Sequence, residues 1–165
     1  MPATRMCLRA MIAIWSVALL FLTFSSAPLH AYDTREGRMT LATHATFAAF
    51  TNALKQAIAD HKMGLVCHAN AQAGAASLGK HIPGNQVLMV YRPDFAVRML
   101  EASVEAGFEA PIRLYIYENA DGTATLTYVK PSLVFKAYGN EALDAMAAEL
   151  DGILEAIVQQ AMKAR

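Results

Sequence analysis

The stretch IRLYIYENADGTATLTYVK, residues 112–130, constrains the fold of this chain more than any other. Ile112, Leu114 and Ile116 alternate with Arg113, Tyr115 and Tyr117, a period of two that suits a strand with one buried and one open face. Asn119 to Gly122 supplies turn chemistry, and TATLTYVK returns with β-branched and aromatic residues. Pro131 ends the second strand, because proline has no N–H to give to a ladder. A hairpin of this kind requires an antiparallel sheet, and its apolar face requires a cover.

The covers are legible on either side. Arg38 to Thr43 reads as a first strand. A helix follows in which Phe47, Phe50, Leu54, Ala57 and Ile58 recur at three- and four-residue steps, with Thr43 or Thr46 as its cap and Gly64 as its stop. LVCHA is a short strand, and residues 70–84 form a small-residue connection with room for one helical turn near Ala75 to Leu78. QVLMVY is a compact apolar strand. Pro93 opens the next helix, where the missing N–H costs nothing, and Ala96, Val97, Leu100 and Val104 are expected to face inward before a stop at Gly107. The last helix starts near Asn140 and carries Leu143, Met146, Leu150, Ile153, Leu154 and Ile157 on one stripe. The expected order is β-α-β-β-α-β-β-α. That order predicts a single α+β domain with a mostly antiparallel sheet and helices on one face.

The N-terminus has a different character. Arg5 and Arg9 precede an apolar run from Ala10 to Phe24, and Ser25, Ser26 and Ala27 follow. A basic region, an apolar stretch and a small-residue exit make a secretory signal peptide over residues 1–31, with cleavage after Ala27 or Ala31. The run of about 15 residues falls short of the roughly 20 that span a bilayer. The expected location is therefore the periplasm or the exterior, with no membrane span once the signal is removed. Removal takes two of the 14 basic residues and none of the 14 acidic ones, which leaves residues 32–165 with a formal charge of −2. That balance argues against nucleic acid as a partner. Cys7 leaves with the signal, so Cys67 becomes a lone thiol that is buried, metal-bound or paired between chains. Burial as a small hydrophobe is the expected state.

The approach to the hairpin, AGFEAPIRLYIYENADGTATLTYVKPS, resembles the DUF302 family, a domain of unknown function. The resemblance rests on Gly107 and Pro111 leading into a strand, Tyr117–Glu118, Gly122, and Tyr128 to Pro131. The strand from Gln86 into Pro93 also fits, although Tyr91-Arg92-Pro93 stands where many members have a smaller pair before the proline. The similarity covers about residues 36–131. It implies a small α+β fold, often dimeric and sometimes exported, and it supplies no reaction.

Chemistry-bearing residues are sparse. No HExxH, CxxC, Gly-x-Ser-x-Gly or P-loop pattern is present, and no carboxylate pair suggests acid–base work. In an extended LVCHA, Leu65 and Cys67 share one face while Val66 and His68 share the other. His68 and His81 flank the small-residue connection, with Tyr91 and Arg92 at the end of the following strand, so these four residues are candidates for binding an anion or a metal. Tyr115 and Tyr117, with Arg113 beside them and Tyr128 expected opposite, are candidates for lining a groove or a dimer contact. Two functional classes follow. The first is an exported, non-enzymatic module that binds a small molecule or a protein, as a homodimer and without a cofactor. The second is a periplasmic metal- or redox-linked protein in which His68, His81 and Cys67 hold a transition metal.

Overall fold

The computed structural model describes residues 37–164. The signal-peptide stretch, Cys7 and the lead-in from Tyr32 to Glu36 lie outside those residues.

Five strands form one sheet: β1 (Arg38–Thr46), β2 (Gly64–Asn70), β3 (Asn85–Tyr91), β4 (Ile112–Glu118) and β5 (Thr123–Val129). Their spatial order is β1-β5-β4-β3-β2, and every neighbouring pair is antiparallel. The 112–130 hairpin sits inside the sheet, flanked by β1 and β3. Its turn is closed by Asn119 N–H to Thr123 O at 2.8 Å, and Gly122 takes a φ of +80° that a side chain would resist.

The helices are α1 (Phe47–Asp60), α2 (Ala71–Ser77), α3 (Pro93–Ala102), α4 (Pro131–Phe135) and α5 (Glu141–Ala161). A 3₁₀ turn covers Glu105–Glu109 and a second covers Lys136–Tyr138. The predicted order holds, with α2 and α4 added as short pieces. Helices α1, α3, α4 and α5 lie on one face of the sheet and form a single α+β domain with it. Phe50, Leu54 and Ile58 of α1 meet Leu143, Met146, Leu154 and Ile157 of α5 above Leu88, Val90, Leu114, Ile116 and Leu126 of the strands. All of these are essentially fully buried. Each burial of that size contributes about 1.5–3 kcal/mol.

Local chemistry explains the helix ends. The Thr46 side chain accepts from Ala49 N–H at 3.3 Å and caps α1. That helix stops at Asp60, because Lys62 adopts a left-handed φ of +58°; the stop comes before Gly64, which opens β2 instead. Asn140 caps α5 by accepting from Ala142 and Leu143 N–H at 2.9 and 3.2 Å. Gly84 sits where a Cβ would collide with the Phe47 ring, so glycine lets the start of α1 close onto the start of β3.

Two expectations about facing are corrected. In α3, Phe95, Ala96 and Met99 are buried, whereas Val97, Leu100 and Val104 are 55, 45 and 78% exposed. The segment carries two competing apolar stripes, and the one holding the larger Phe95 wins. The helix also ends at Ala102, before the second stripe is complete. In β2, a bulge between Leu65 and Cys67 shifts the register. Leu65 pairs with Val90 on the helix side, while Cys67 pairs with Met89 on the open side, so the two do not share a face.

Candidate functional site

The helical layer covers one face of the sheet and leaves the other without a covering layer among the described residues. On that open face, cross-strand partners form rows. Ala69, Val87, Tyr115, Thr127 and Thr40 make one row across all five strands, and Cys67, Met89 and Arg113 begin the next. Alternation puts these side chains opposite the core residues Leu88, Val90, Leu114 and Leu126. The strand QVLMVY, apolar at nearly every position, therefore gives Leu88 and Val90 to the core and Val87 and Met89 to the open face.

Ala69, Val87, Met89, Arg113, Tyr115 and Thr127 of these rows line an open groove of about 920 Å³, which Pro131 and Val134 of α4 border at one end. Val87, Met89 and Tyr115 make it apolar, and Arg113 and Arg38 bring positive charge to it. One wall is the segment from Phe108 to Pro111, in which the Ala110–Pro111 peptide is cis. Phe108 is 89% exposed, so its ring stands in solvent at the rim. Glu109 is tied into the wall, since its Oε1 accepts from Tyr138 Oη at 3.0 Å. Tyr115 is fixed from both sides: its hydroxyl accepts from Asn85 Nδ2 at 2.7 Å, and its ring lies 5.6 Å from that of Tyr117, tilted by 33°. The volume falls within the range of about 300–1,000 Å³ typical of small-molecule sites.

The residues singled out from sequence separate into distinct places. Arg113 and Tyr115 line the groove, and Tyr117 packs beside Tyr115. Tyr128, expected opposite them, is buried with its strand's core-facing residues, and Thr127 and Thr125 take the positions facing Tyr115 and Tyr117, although Tyr128 still borders the groove. Burial, with the carboxylates of Glu155 and Asp151 nearby, holds the Tyr128 phenol above its ordinary pKa.

Cys67 is an exposed free thiol, which corrects the expectation of a core cysteine. It belongs to an edge strand whose residues are nearly all exposed, so no layer reaches over it. His68 stays on the helix side of β2, where its Nε2 lies 2.7 Å from Gln86 Oε1 and serves a buried amide. Cys67 and His68 therefore point to opposite faces, as strand geometry requires. His81 is exposed in the connection 78–84 and shares no hydrogen bond with His68. Tyr91 and Arg92 lie elsewhere. Because β2 and β3 are antiparallel, Tyr91 pairs with Gly64 at the end of the hairpin remote from that connection. Six residue steps, about 20 Å, separate the two ends of β3. Arg92 is engaged by Asp94 at 2.7 and 3.0 Å and lies 4.2 Å from the Phe95 ring centre. The cavity that Tyr91 and Arg92 line holds about 30 Å³, room for a single water. Among the described residues, no group of three or more His, Cys, Asp or Glu side chains is placed to hold a metal ion.

Sequence reading missed Val87, Met89 and Phe108 as site residues. The available signal was the two-sided apolar character of β3, which marks a strand with something to cover on each face.

Comparison with known proteins places this geometry. No curated protein matches the chain. Among solved structures, an uncharacterized conserved DUF302 protein from Bacillus stearothermophilus superimposes with a TM-score of 0.66. The two share 19% sequence identity over 76% of this chain and 98% of that one, a likeness of fold. The sequence pattern of the family described as "Domain of unknown function DUF302" matches residues 39–161, and the chain belongs to that family.

Proposed function

We propose that this protein is an exported, non-enzymatic module that binds a small molecule on the open face of its sheet. The observation that carries the reading is the groove of about 920 Å³, with Val87, Met89 and Tyr115 on its floor and Phe108 at its rim. An apolar concavity with a few polar groups is the usual form of a small-molecule site. Export rests on the N-terminal pattern of Arg5 and Arg9, an apolar run and small residues. No described helix is long and apolar enough to cross a membrane. A homodimer has its best support at the edge strand β2, which carries no charged residue and leaves Leu65 and Val66 39 and 54% exposed.

Titration of the purified protein with the neutral dye N-phenyl-1-naphthylamine tests the reading. Saturable fluorescence enhancement is expected, and Met89→Glu should weaken it about tenfold or more by placing a charge on the floor. Circular dichroism of the variant should stay native, because Met89 is outside the core cluster. Absence of saturable binding, or binding indifferent to Met89→Glu, would overturn the proposal.

A further inference from the structure

The groove has an electrostatic feature that an apolar ligand would leave unused. Four arginines lie within the described residues: Arg38, Arg92, Arg98 and Arg113. Arg92 is engaged by Asp94, and Arg98 holds Glu149 through two hydrogen bonds of 2.8 and 2.6 Å. Both also stand over the Phe95 ring, at 4.2 and 5.2 Å from its centre. Arg113 has neither kind of partner. It projects from the open face opposite Met89 and makes no ion pair with another described residue. The carboxylate that lines the same groove, Glu109, is already accepting from Tyr138.

Shape adds to charge. The row Ala69, Val87, Tyr115 and Thr127 spans four strands, about 14 Å at three strand spacings. This floor is long and shallow, with the apolar residues Val87, Met89 and Phe108 to one side of the hairpin and the guanidinium beside them. Phe108 gains almost none of the roughly 1.5–3 kcal/mol that burying such a ring provides, so an apolar occupant that covers it recovers stabilisation the free protein lacks.

We infer that the groove takes an anionic amphiphile, a molecule with an apolar tail and a carboxylate head, with the head on Arg113. The tail lies over Val87, Met89 and Tyr115, and the Phe108 ring closes over it. A planar guanidinium without a partner offers a two-pronged fork that matches a carboxylate, and the attraction strengthens where an apolar tail excludes water. This inference rests on the groove reading above and names its ligand class.

Competition against the neutral dye separates the two claims. Dodecanoate, kept below its micelle concentration, is expected to displace N-phenyl-1-naphthylamine at about tenfold lower concentration than dodecan-1-ol. Arg113→Gln should abolish that preference, read within the variant as the ratio of the acid and alcohol concentrations that displace half of the dye, and Arg113→Lys should retain part of it. Equal displacement by acid and alcohol, or a preference that survives Arg113→Gln, would overturn the anionic class and leave the groove reading standing. Failure of the dye to bind would overturn both. A dimeric mass that becomes monomeric in Phe108→Ser, with no dye bound by either form, would also overturn both and give the groove to a second copy of the chain.

Discussion

The two faces of the sheet are built from the same five strands and have opposite consequences. The helix side presents Leu88, Val90, Leu114, Ile116 and Leu126, all fully buried under α1 and α5. The open side presents Val87, Met89, Arg113, Tyr115 and Thr127, each in contact with solvent. Successive residues of one strand thus carry separate tasks: Ile116 holds the domain together, and Tyr115 beside it is available to a ligand. Stability and binding are divided at intervals of about 3.4 Å along the backbone. A change confined to one face should leave the other task nearly untouched.

The largest effect that tests this division is the contrast between neighbours on β4. Ile116→Ala leaves a cavity under two helices and should cost about 2–5 kcal/mol in denaturant melts. Tyr115→Ala removes a half-exposed ring and its hydrogen bond from Asn85, and should cost about 1 kcal/mol or less. Dye binding should respond in the reverse order, falling in the tyrosine variant. Equal destabilisation by both would show that the open face is structural after all.

A smaller effect of opposite sign comes from within the helix side. Thr51 is buried on α1, and its Oγ1 has no hydrogen-bond partner. An orphaned buried hydroxyl carries a desolvation cost of about 1–3 kcal/mol, so Thr51→Val, which keeps the branched shape, should stabilise the domain by about 1 kcal/mol. The helix propensities of the two residues are close enough not to obscure that gain. Gln86 supplies the contrast on the same face: its side-chain oxygen is buried as well, and His68 reaches in from the edge strand to satisfy it. A neutral or lowered stability in Thr51→Val would mean that the hydroxyl is satisfied in solution.

Much of this division was legible in the residues. The alternation from Ile112 to Tyr117 fixed which side chains of β4 turn inward, and the steps of α1 and α5 named their buried stripes correctly. Errors arose where two patterns competed or where a single extra residue changed the phase. The bulge at Val66 moved Cys67 to the face opposite Leu65, and a bulge leaves no mark in a seven-residue strand without charges. In α3, two apolar stripes are equally good helical patterns, and only packing against α5 chooses Phe95 and Met99. Tyr128 misled because an aromatic on the returning strand suits either face, and its phase depended on the turn length. The groove was half visible: Arg113 and Tyr115 were read from the hairpin and Val87 was open to reading from the two-sided apolar β3, whereas Phe108 required the third dimension. An exposed phenylalanine in a short 3₁₀ turn has no periodic signature.

The smallest expected effect concerns the solvent side of the helical layer and the polar ends of the hairpin. Four carboxylates there sit below their ordinary pKa. Gln56 and Gln160 hydrogen-bond Asp60, Arg92 holds Asp94, Thr123 holds Asp121, and Arg98 holds Glu149. Each binds its proton less readily folded than unfolded. Their contribution to stability is therefore complete above the unfolded carboxylate values, 3.8 for aspartate and 4.5 for glutamate, and is lost as pH falls through the lower folded values. All four groups are exposed to solvent, which keeps each contribution small. Thermal melts from pH 7 to pH 3 should be nearly flat down to about pH 5 and then descend. Glu149→Gln should shift the plateau only slightly and make the descent shallower, because it removes one of the four linked protons. Dye binding at pH 5 should match that at pH 7, since none of these carboxylates lines the groove. A descent unchanged in Glu149→Gln would assign the acid sensitivity to other groups, and the Arg98 clamp between α3 and α5 would then contribute nothing measurable.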